Sequence, residues 1–263
     1  MKKNYKFKIE NYNFWLNRLK KKERAVCTND VYLDLLEEDQ IIKRIKKNKT
    51  ILEVGSGNGI LLQRLLKSTK VKKYVGTDFV ESLVEKSNRK YSRGKNISFE
   101  HFDMTQINKN SFNEKFDYII SKRAIQNVLK SSLQLNTIDN LGFHLKEKGS
   151  MILVESSSTA QNNINNFRKK YKLDKIIPPF HNLFFSDEKI KKYNFKNLKL
   201  VNIDNFSSNF YFISRIVYAL YAKNYLKKIP QYGDYHNTIG LMVNEDLLKI
   251  DFSQIKTYVF SRK

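Results

Sequence analysis

The sequence predicts an α/β fold built on a doubly wound parallel sheet, and three observations lead to this prediction. Short apolar runs typical of strands alternate with amphipathic runs typical of helices along most of the chain. A glycine-rich turn, VGSGNGI, joins the first strand of this series to its first helix. Acidic or polar residues end several of the strands, at the edge where open α/β sheets bind ligands. Together these features predict a ligand site at the carboxyl ends of the strands.

The individual elements follow from local patterns. The first strand, at 51–54, is an apolar run that meets Gly55, Gly57 and Gly59, and an amphipathic helix follows from Ile60. The second strand, at 71–77, ends at Asp78, and a helix is predicted over 78–92. Residues 1–48 have a helical pattern, and an apolar-aromatic helix is predicted over 210–226. The remaining strands are predicted at 96–104, 115–121, 149–156, 199–206 and 253–262.

Three classes of ligand use a glycine turn between a strand and a helix. A Walker phosphate loop ends in Gly-Lys-Ser/Thr, but Ile60 and Leu61 follow Gly59, which excludes that class. The dinucleotide pattern G-x-G-x-x-G needs glycine at position 60, so a nicotinamide or flavin cofactor is disfavoured while remaining open. The third class is S-adenosylmethionine, which carries no pyrophosphate. A bare turn that needs glycine only for positive φ is the structural alternative.

The stretch EVGSGNG, from Glu53 to Gly59, resembles the first motif of class I S-adenosylmethionine-dependent methyltransferases, (D/E)-x-G-x-G-x-G. The resemblance implies that Glu53 helps to hold the cofactor's amino group and that the glycines pass under its nucleoside. Asp78 would accept hydrogen bonds from the ribose hydroxyls, and Asp103 would lie beside the adenine amino group. The predicted cofactor-binding residues are Glu53, Gly55, Ser56, Gly57, Gly59, Asp78, Phe79, Asp103, Met104 and Ser121.

For the fold, the same resemblance implies a Rossmann-like sheet of seven strands in which the last strand in sequence inserts antiparallel. Residues 1–48 would form a helical region that covers the cofactor, and residues 49–263 the methyltransferase domain. Insertions at about 157–197 and 207–250 would lie above the carboxyl edge of the sheet. The resemblance therefore implies a small substrate cap beside the cofactor.

A narrower resemblance covers most of the chain from about residue 50. The stretches SKRAIQNVLK, HNLFF and NFSSNFYFISR are similar to motifs of a group of class I methyltransferases found in bacterial surface-polysaccharide gene clusters. Val128 stands where that group often has leucine. The implied substrate-binding residues are Arg123, Asn127, Arg168, Asn182, Tyr211, Arg215 and Asp234, and the implied catalytic candidates are His181 and Glu155.

These candidates have both a chemical and a structural interpretation. His181 is the candidate general base, because imidazole has a pKa near neutrality, and its alternative is a histidine that hydrogen-bonds a loop backbone. The predicted arginines could clamp a phosphate or carboxylate, or instead pair with Glu155 or Asp234 inside the cap. His144 is interpreted as structural. No His/Cys spacing suggests zinc, so no metal is expected.

Composition bounds the partners. The chain has 263 residues with 41% hydrophobic content, which is enough for a packed core. A lone cysteine, an N-terminus without the apolar core of a secretory signal and the lack of a transmembrane-length apolar run lead us to expect a cytoplasmic protein. The net charge of +23 would suit RNA or another anionic partner, but the lysines are scattered. A basic surface without a dedicated partner is therefore favoured.

The sequence thus predicts an S-adenosylmethionine-dependent methyltransferase that yields S-adenosylhomocysteine as product. Its acceptor is expected to be a small polar molecule or a sugar, nucleotide-linked or on a glycan, methylated on oxygen or nitrogen. Exocyclic-amine DNA methyltransferases carry (N/D)-P-P-(Y/F) after the fourth strand, where this chain has Ser121, Lys122 and Arg123. An RNA methyltransferase and a non-catalytic cofactor-binding module remain alternatives.

Overall fold

Seven strands form one sheet in the computed structural model, which describes residues 2–21, 23–69, 71–91, 94, 96–243 and 250–263. The strands are β1 (Lys49–Val54), β2 (Val71–Asp78), β3 (Ile97–His101), β4 (Phe116–Lys122), β5 (Leu145–Ser156), β6 (Leu198–Asp204) and β7 (Ile255–Arg262). Their order in the sheet is β3-β2-β1-β4-β5-β7-β6. Strands β1 to β5 are parallel, and β7 is antiparallel to β5 and β6. The predicted fold class and the antiparallel last strand are confirmed.

The helices lie before, between and after these strands. They are α1 (Lys2–Arg18), α2 (Val31–Ile42), α3 (Ile60–Ser68), α4 (Glu81–Tyr91), α5 (Ser131–Leu141), α6 (Ser158–Lys170), α7 (Asp187–Lys192), α8 (Ser208–Phe212), α9 (Tyr218–Asn224) and α10 (Ile239–Met242). In the parts of the chain that the structure describes, no helix has the length and apolarity needed to cross a membrane.

Several predicted elements differ in extent from the structure, and for three of them the difference has a local cause. The helix predicted over 78–92 begins at Glu81, because the Asp78 carboxylate accepts a hydrogen bond from the Val80 N–H at 3.0 Å. The third strand ends at His101, and Asp103 caps a short 3₁₀ turn. The helix predicted over 210–226 is interrupted by a π-helical turn at Ile213–Val217. Ser92, the last residue of the first prediction, lies outside the described residues.

The core has one layer on each face of the sheet. Ile51 of β1 packs with the helix residue Leu62 on one face, whereas Leu52 packs with Ile138 of α5 on the other. All four side chains are fully buried. Because successive strand residues point to opposite faces, this alternation places Glu53 on the Ile51 face. The ligand-facing end of β1 therefore sits between two packed layers.

A buried ionic cluster joins the N-terminal helices to the sheet. Three acidic residues lie three and four positions apart on one face of α2, and all are almost fully buried: Asp34, Glu37 and Glu38. The Lys122 ammonium, at the end of β4, lies 2.6 Å from an Asp34 oxygen and 3.1 Å from a Glu38 oxygen. Arg123 donates from Nε to Glu37 at 2.8 Å. These pairs hold α2 over the carboxyl end of β4, next to the crevice where the strand order reverses between β1 and β4.

Candidate active site

The glycine turn after β1 adopts the backbone that the sequence predicts. Gly55, Gly57 and Gly59 all have positive φ, at 72°, 56° and 71°. A Cβ on Gly55 would lie 2.1 Å from the Ala124 Cβ, so a side chain there would collide with the segment after β4. A Cβ on Gly57 would lie 2.7 Å from the Cys27 sulfur. Glycine is needed here both for conformation and for close approach.

Asp78 lies at the end of β2 and is tied to this turn. One of its carboxylate oxygens accepts from the Gly57 N–H at 2.9 Å, and the other accepts from the Val80 N–H at 3.0 Å. Burial raises the pKa of the Asp78 carboxyl, and the two backbone hydrogen bonds oppose that rise. A carboxylate oxygen can accept two hydrogen bonds, so each retains capacity for a ligand hydroxyl.

Glu53 lies one strand away, at the end of β1, and is 2% exposed. The Tyr74 hydroxyl donates a hydrogen bond to it. Burial raises the pKa of the Glu53 carboxyl to about 8, even though the Tyr74 hydrogen bond and Lys122 favour its charged form. Near neutral pH the group is therefore poised between its acid and its carboxylate, and a cation beside it would favour the carboxylate.

A cavity of about 590 Å³ opens over the glycine turn. Its lining includes eight of the predicted cofactor-binding residues, namely Glu53, Gly55, Ser56, Gly57, Asp78, Phe79, Asp103 and Met104. The other two, Gly59 and Ser121, are absent from the lining, because Gly59 caps α3 and the Ser121 hydroxyl donates to Glu155 at 2.7 Å. The cavity also contacts Arg123 and Asn127, which the sequence assigned to the substrate.

Unpartnered polar atoms show that this cavity suits a polar ligand. Ser56 Oγ, Asn11 Oδ1 and Asn127 Oδ1 are buried and have no hydrogen-bond partner within the described protein. All three residues line the cavity. Because buried polar groups are rarely left unpaired, the lining is expected to hydrogen-bond a ligand that brings hydroxyl and amino groups. S-Adenosylmethionine has such groups in its ribose and amino-acid moieties, so the residues present fit it.

A second, smaller cavity of about 170 Å³ adjoins the first and shares Trp15, Cys27 and Arg123 with it. His181, Asn182, Tyr211 and Arg215, which the sequence assigned to catalysis or substrate binding, line this cavity. It is closed by α1, by the cap loop around His181 and by α8 with its following π turn. Arg123 lines it too, so the structure brings together five predicted residues from three separate segments of the sequence.

His181 is enclosed by aromatic rings. It stacks on Phe14 with ring centroids 4.0 Å apart, and its edges face Trp15 and Phe180. Its Nδ1 is buried and has no hydrogen-bond partner within the described chain. At this atom, therefore, the structure shows no bond to a loop backbone of the kind that the structural alternative required. Burial, together with the positive charge of Arg18, lowers the His181 pKa to about 4. The imidazole is therefore neutral at pH 7 and can accept a proton or hydrogen bond.

Two of the predicted arginines do not form the ion pairs with Glu155 or Asp234 that the sequence analysis gave as their structural alternative. Arg123 pairs with Glu37, and Arg215 pairs with Asp30, so both use acids of the N-terminal region rather than Glu155 or Asp234. That alternative was wrong because Glu37 of α2 lies beside Arg123, which follows β4, and Asp30 in the loop before α2 reaches Arg215. Local sequence does not reveal these contacts.

Three further predicted residues lie outside both cavity linings. Arg168 donates to the backbone carbonyls of Asp174 and Arg215. Asp234 accepts from the Gln231 N–H at 2.8 Å and pairs with Lys228 at 3.3 Å. These contacts hold together the segments that follow β5 and β6, and neither side chain faces the linings.

Glu155 is the third residue, and its carboxylate is fully engaged. It accepts from the Ser121 hydroxyl and from the backbone N–H groups of Ala124, Ile125 and Gln126, at 2.7 to 3.2 Å. Burial raises the Glu155 pKa to about 7, and these hydrogen bonds oppose the rise. Its position corrects the prediction of a catalytic group: Glu155 anchors the turn after β4 and does not line the cavities.

Sequence reasoning missed several residues of the site. Trp15, Arg18, Cys27 and Asp30 all come from the N-terminal region and line the smaller cavity. Burial raises the pKa of the Cys27 thiol, so it remains protonated at neutral pH. The acidic run DLLEED in α2 was the one local signal, because carboxylates on a buried helix face need cationic partners. Among the described residues, no group of three or more His, Cys, Asp or Glu is arranged for a metal.

Comparison with known proteins places these observations in a family. The methyltransferase-domain family model matches residues 45–210. The structure superposes on the N-methyltransferase NodS from Bradyrhizobium japonicum WM9, solved with S-adenosylhomocysteine, with a TM-score of 0.57 and 11% identity over 96% of this chain and 98% of that one. Phosphoethanolamine N-methyltransferase 1 from Haemonchus contortus gives a TM-score of 0.58 and 15% identity, covering 97% of this chain and 49% of that one.

A sequence relative is also similar over a shorter stretch. Ribosomal RNA small subunit methyltransferase A of Prochlorococcus marinus (strain MIT 9215) is 32% identical over 87 residues. That match covers 33% of this chain and spans 31% of the relative's length. The family match and the fold agree with the glycine turn, the strand order and the cavity above them. The chain belongs to the methyltransferase-domain family and is a class I S-adenosylmethionine-dependent methyltransferase.

Proposed function

We propose that this enzyme methylates a small polar acceptor, of sugar-like size, that binds in the smaller cavity while the cofactor occupies the larger one. The observation that carries the proposal is the shared wall of the two cavities, formed by Trp15, Cys27 and Arg123. Displacement at a methyl group requires the acceptor atom in line with the bond that breaks, so two adjoining cavities suit the reaction. A cavity of about 170 Å³ is similar in size to one that holds a single six-membered ring.

In this proposal, the residues of the larger cavity bind and orient the cofactor, which supplies an electrophilic methyl group on a sulfonium. Asp78 accepts hydrogen bonds from the ribose, and Glu53 faces the amino group. Phe79 and Met104 form apolar walls, and the residues fit an adenine between them and Asp103. The backbone of the glycine turn forms the floor, where no side chain intervenes.

We propose that residues 1–48 cover the cofactor. Asn11, Trp15, Cys27 and Asp34 from this region line the larger cavity. The segments at about 157–197 and 207–250 would act as the substrate cap, because His181, Asn182, Tyr211 and Arg215 come from them. Residues 244–249 of the second segment lie outside the described residues. Closing both sides would exclude water from the reacting atoms.

His181 is the proposed proton acceptor for a hydroxyl or ammonium acceptor group. Its neutral ring lines the smaller cavity, and its Nδ1 has no partner there. A pKa of about 4 makes it a weak base, so its contribution should lie near or below the lower end of the usual range of roughly 10²- to 10⁴-fold. Positioning by the two cavities would then provide most of the rate acceleration.

A methyltransferase acting on RNA is the second candidate, favoured by the partial match to the ribosomal RNA enzyme and by the net charge of +23. The segment after β4 weighs against an exocyclic base amine as acceptor, because it reads Arg123-Ala124-Ile125 without the proline motif of the DNA enzymes. RNA binding would also fall steeply with salt, since phosphate contacts release counterions.

Transfer of a radiolabelled methyl group from S-adenosylmethionine into a fractionated cell extract tests the proposal. Asp78→Asn serves as the low-binding blank, and Glu85→Gln, on the exposed face of α4, is the matched control. Label in small-molecule or glycan fractions is expected. Label confined to RNA would replace the proposal with the second candidate, and the labelled acceptor would be identified directly in either case.

A further inference from the structure

We propose that the smaller cavity selects acceptors that carry an anionic group, a phosphate or a carboxylate, and that Arg18 is the residue that binds it. The inference rests on the proposed function of this cavity, because it specifies the chemistry of the acceptor that would bind there. Arg18 belongs to α1 and lines the smaller cavity, but it is absent from the lining of the larger one.

Within the described residues, Arg18 differs from the other arginines of the cavity in having no acidic partner. Arg123 pairs with Glu37, and Arg215 pairs with Asp30. Arg18 is 9% exposed, and its guanidinium makes four hydrogen bonds, all to neutral oxygens. These acceptors are the carbonyls of Val26 and Ala25, each at 2.5 Å, and the Asn29 side-chain oxygen, at 3.2 Å from both terminal nitrogens.

The charge of Arg18 is therefore buried and uncompensated within the described chain. Burial lowers the pKa of Arg18; the Cys27 side chain opposes this decrease, and the positive charge of Arg123 adds to it. The rings of Phe14 and Trp15, with centroids 5.7 and 5.9 Å from its guanidinium carbon, offset part of this cost. A buried charge normally has an ionic partner. An anion from the acceptor would provide one.

The whole cavity has the same electrostatic character. Its lining holds three arginines, namely Arg18, Arg123 and Arg215, against a single acid, Asp30. Because Asp30 pairs with Arg215 and Glu37 pairs with Arg123 from outside the lining, the charge of Arg18 remains in excess. A guanidinium has five N–H donors, and the four bonds of Arg18 leave one free for an incoming oxygen. One N–H···O bond from this guanidinium to a phosphate or carboxylate oxygen would be charge-assisted, and such bonds are stronger than those between neutral groups.

The rest of the lining indicates what the anionic group is attached to. His181 Nδ1 and Asn182 Oδ1 are buried without hydrogen-bond partners. Each can accept a hydrogen bond, so an acceptor with hydroxyl or amine groups would satisfy them. The aromatic walls formed by Trp15 and Tyr211 suit the apolar face of a ring. The combined chemistry is that of a phosphorylated or carboxylated sugar-sized ring.

The test measures binding rather than turnover, so its failure is distinguishable from failure of the proposed function. Glucose 6-phosphate, glucuronate and uncharged glucose are titrated into the enzyme loaded with S-adenosylhomocysteine, and binding is followed by calorimetry and by protein NMR shifts. We expect at least one anionic probe to bind ten-fold or more tightly than glucose. Binding of only the phosphate or only the carboxylate probe would identify the group; equal binding of all three would overturn the inference.

Two variants and a control locate the site. Arg18→Met should weaken the anionic probe ten-fold or more while leaving S-adenosylhomocysteine affinity within two-fold. Asn182→Asp, which adds a negative charge to the same cavity, should weaken it as well, and it remains informative if Arg18→Met fails to fold. Arg89→Met, 74% exposed on α4, removes a surface charge of the same kind and should change nothing. Unchanged anion affinity in both cavity variants, or an equal loss in Arg89→Met, would refute the role of Arg18.

Discussion

The most direct test of the cofactor site is the substitution Asp78→Asn. In the structure this carboxylate accepts one backbone N–H on each oxygen, from Gly57 and from Val80. Replacing one oxygen by NH₂ places a donor against one of these N–H groups and removes one acceptor facing the cavity. A hydrogen bond to a charged group contributes about 1.5–3 kcal/mol. Loosening of the glycine turn in the variant would weaken cofactor binding further.

We therefore expect Asp78→Asn to weaken S-adenosylhomocysteine binding by about 1–3 kcal/mol, which is roughly a 5- to 150-fold rise in Kd. Calorimetric titration measures the affinity, and urea unfolding of the free protein separates the cost to the turn. Glu85→Gln, which removes an exposed carboxylate on the neighbouring α4, is the control and should bind normally.

A thermodynamic cycle makes the assignment specific to the ribose. The 2′-deoxy analogue of S-adenosylhomocysteine should bind the wild-type protein more weakly than the parent compound does. In Asp78→Asn the difference between the two ligands should largely vanish, because the interacting partner is gone. If the variant is folded and its Kd for the parent compound stays within two-fold of wild type, Asp78 does not contact the ribose.

Three other predictions follow from the same structure. Lys122→Met should lower the free energy of unfolding in urea by about 3–5 kcal/mol, because it leaves two buried carboxylates with less positive charge beside them. The control Lys146→Met removes a 43% exposed lysine and should cost at most about 1 kcal/mol. Similar losses in the two variants would contradict the buried cluster. The Glu53 pKa of about 8 should fall when an ammonium group binds beside it, so S-adenosylhomocysteine affinity should rise from pH 6 to pH 8 as binding releases a proton. Calorimetry in buffers of different ionisation enthalpy would measure the proton release. The variant Glu53→Gln should abolish both the release and the pH dependence. His181→Gln should lower kcat by about 10- to 100-fold at unchanged S-adenosylhomocysteine affinity. In the wild-type protein, the rate should fall on the acid side near pH 4 rather than 6.5. A fall near pH 6.5 would mean that the imidazole ring is not desolvated.

The fold was predictable because its signals are local. The alternation of apolar runs, the glycine turn and the residues ending β1 and β2 depend on neighbours only a few positions away. Parallel strands bring their carboxyl ends to one edge, so the placement of Glu53 and Asp78 follows from topology. Boundaries were less accurate where a side chain overrides the pattern. Asp103 shows this, since it caps a 3₁₀ turn two residues after β3 ends.

The smaller cavity was predictable only in part. His181, Asn182, Tyr211 and Arg215 line it together, and their catalytic or substrate-binding roles stay a prediction. Glu155 shows the limit of that reasoning, because a residue can match a motif and serve to hold a backbone turn. Whether a carboxylate faces a ligand or a row of backbone N–H groups depends on which segment packs against it. The spacing of residues in the sequence does not predict that packing.

By itself, the sequence determined the sheet, the glycine turn and the chemistry of the cofactor site, because each arises from contacts between residues near in sequence or set by strand order. Only the tertiary structure decided which charges are paired. Arg18 lies 105 residues before Arg123 and 197 before Arg215, yet all three line one cavity, and it alone among them lacks an acid in the described chain. Charge pairing depends on distance in space and on burial, so the feature that points to an anionic acceptor could emerge only when the N-terminal region was folded against the segments that carry Arg123 and Arg215.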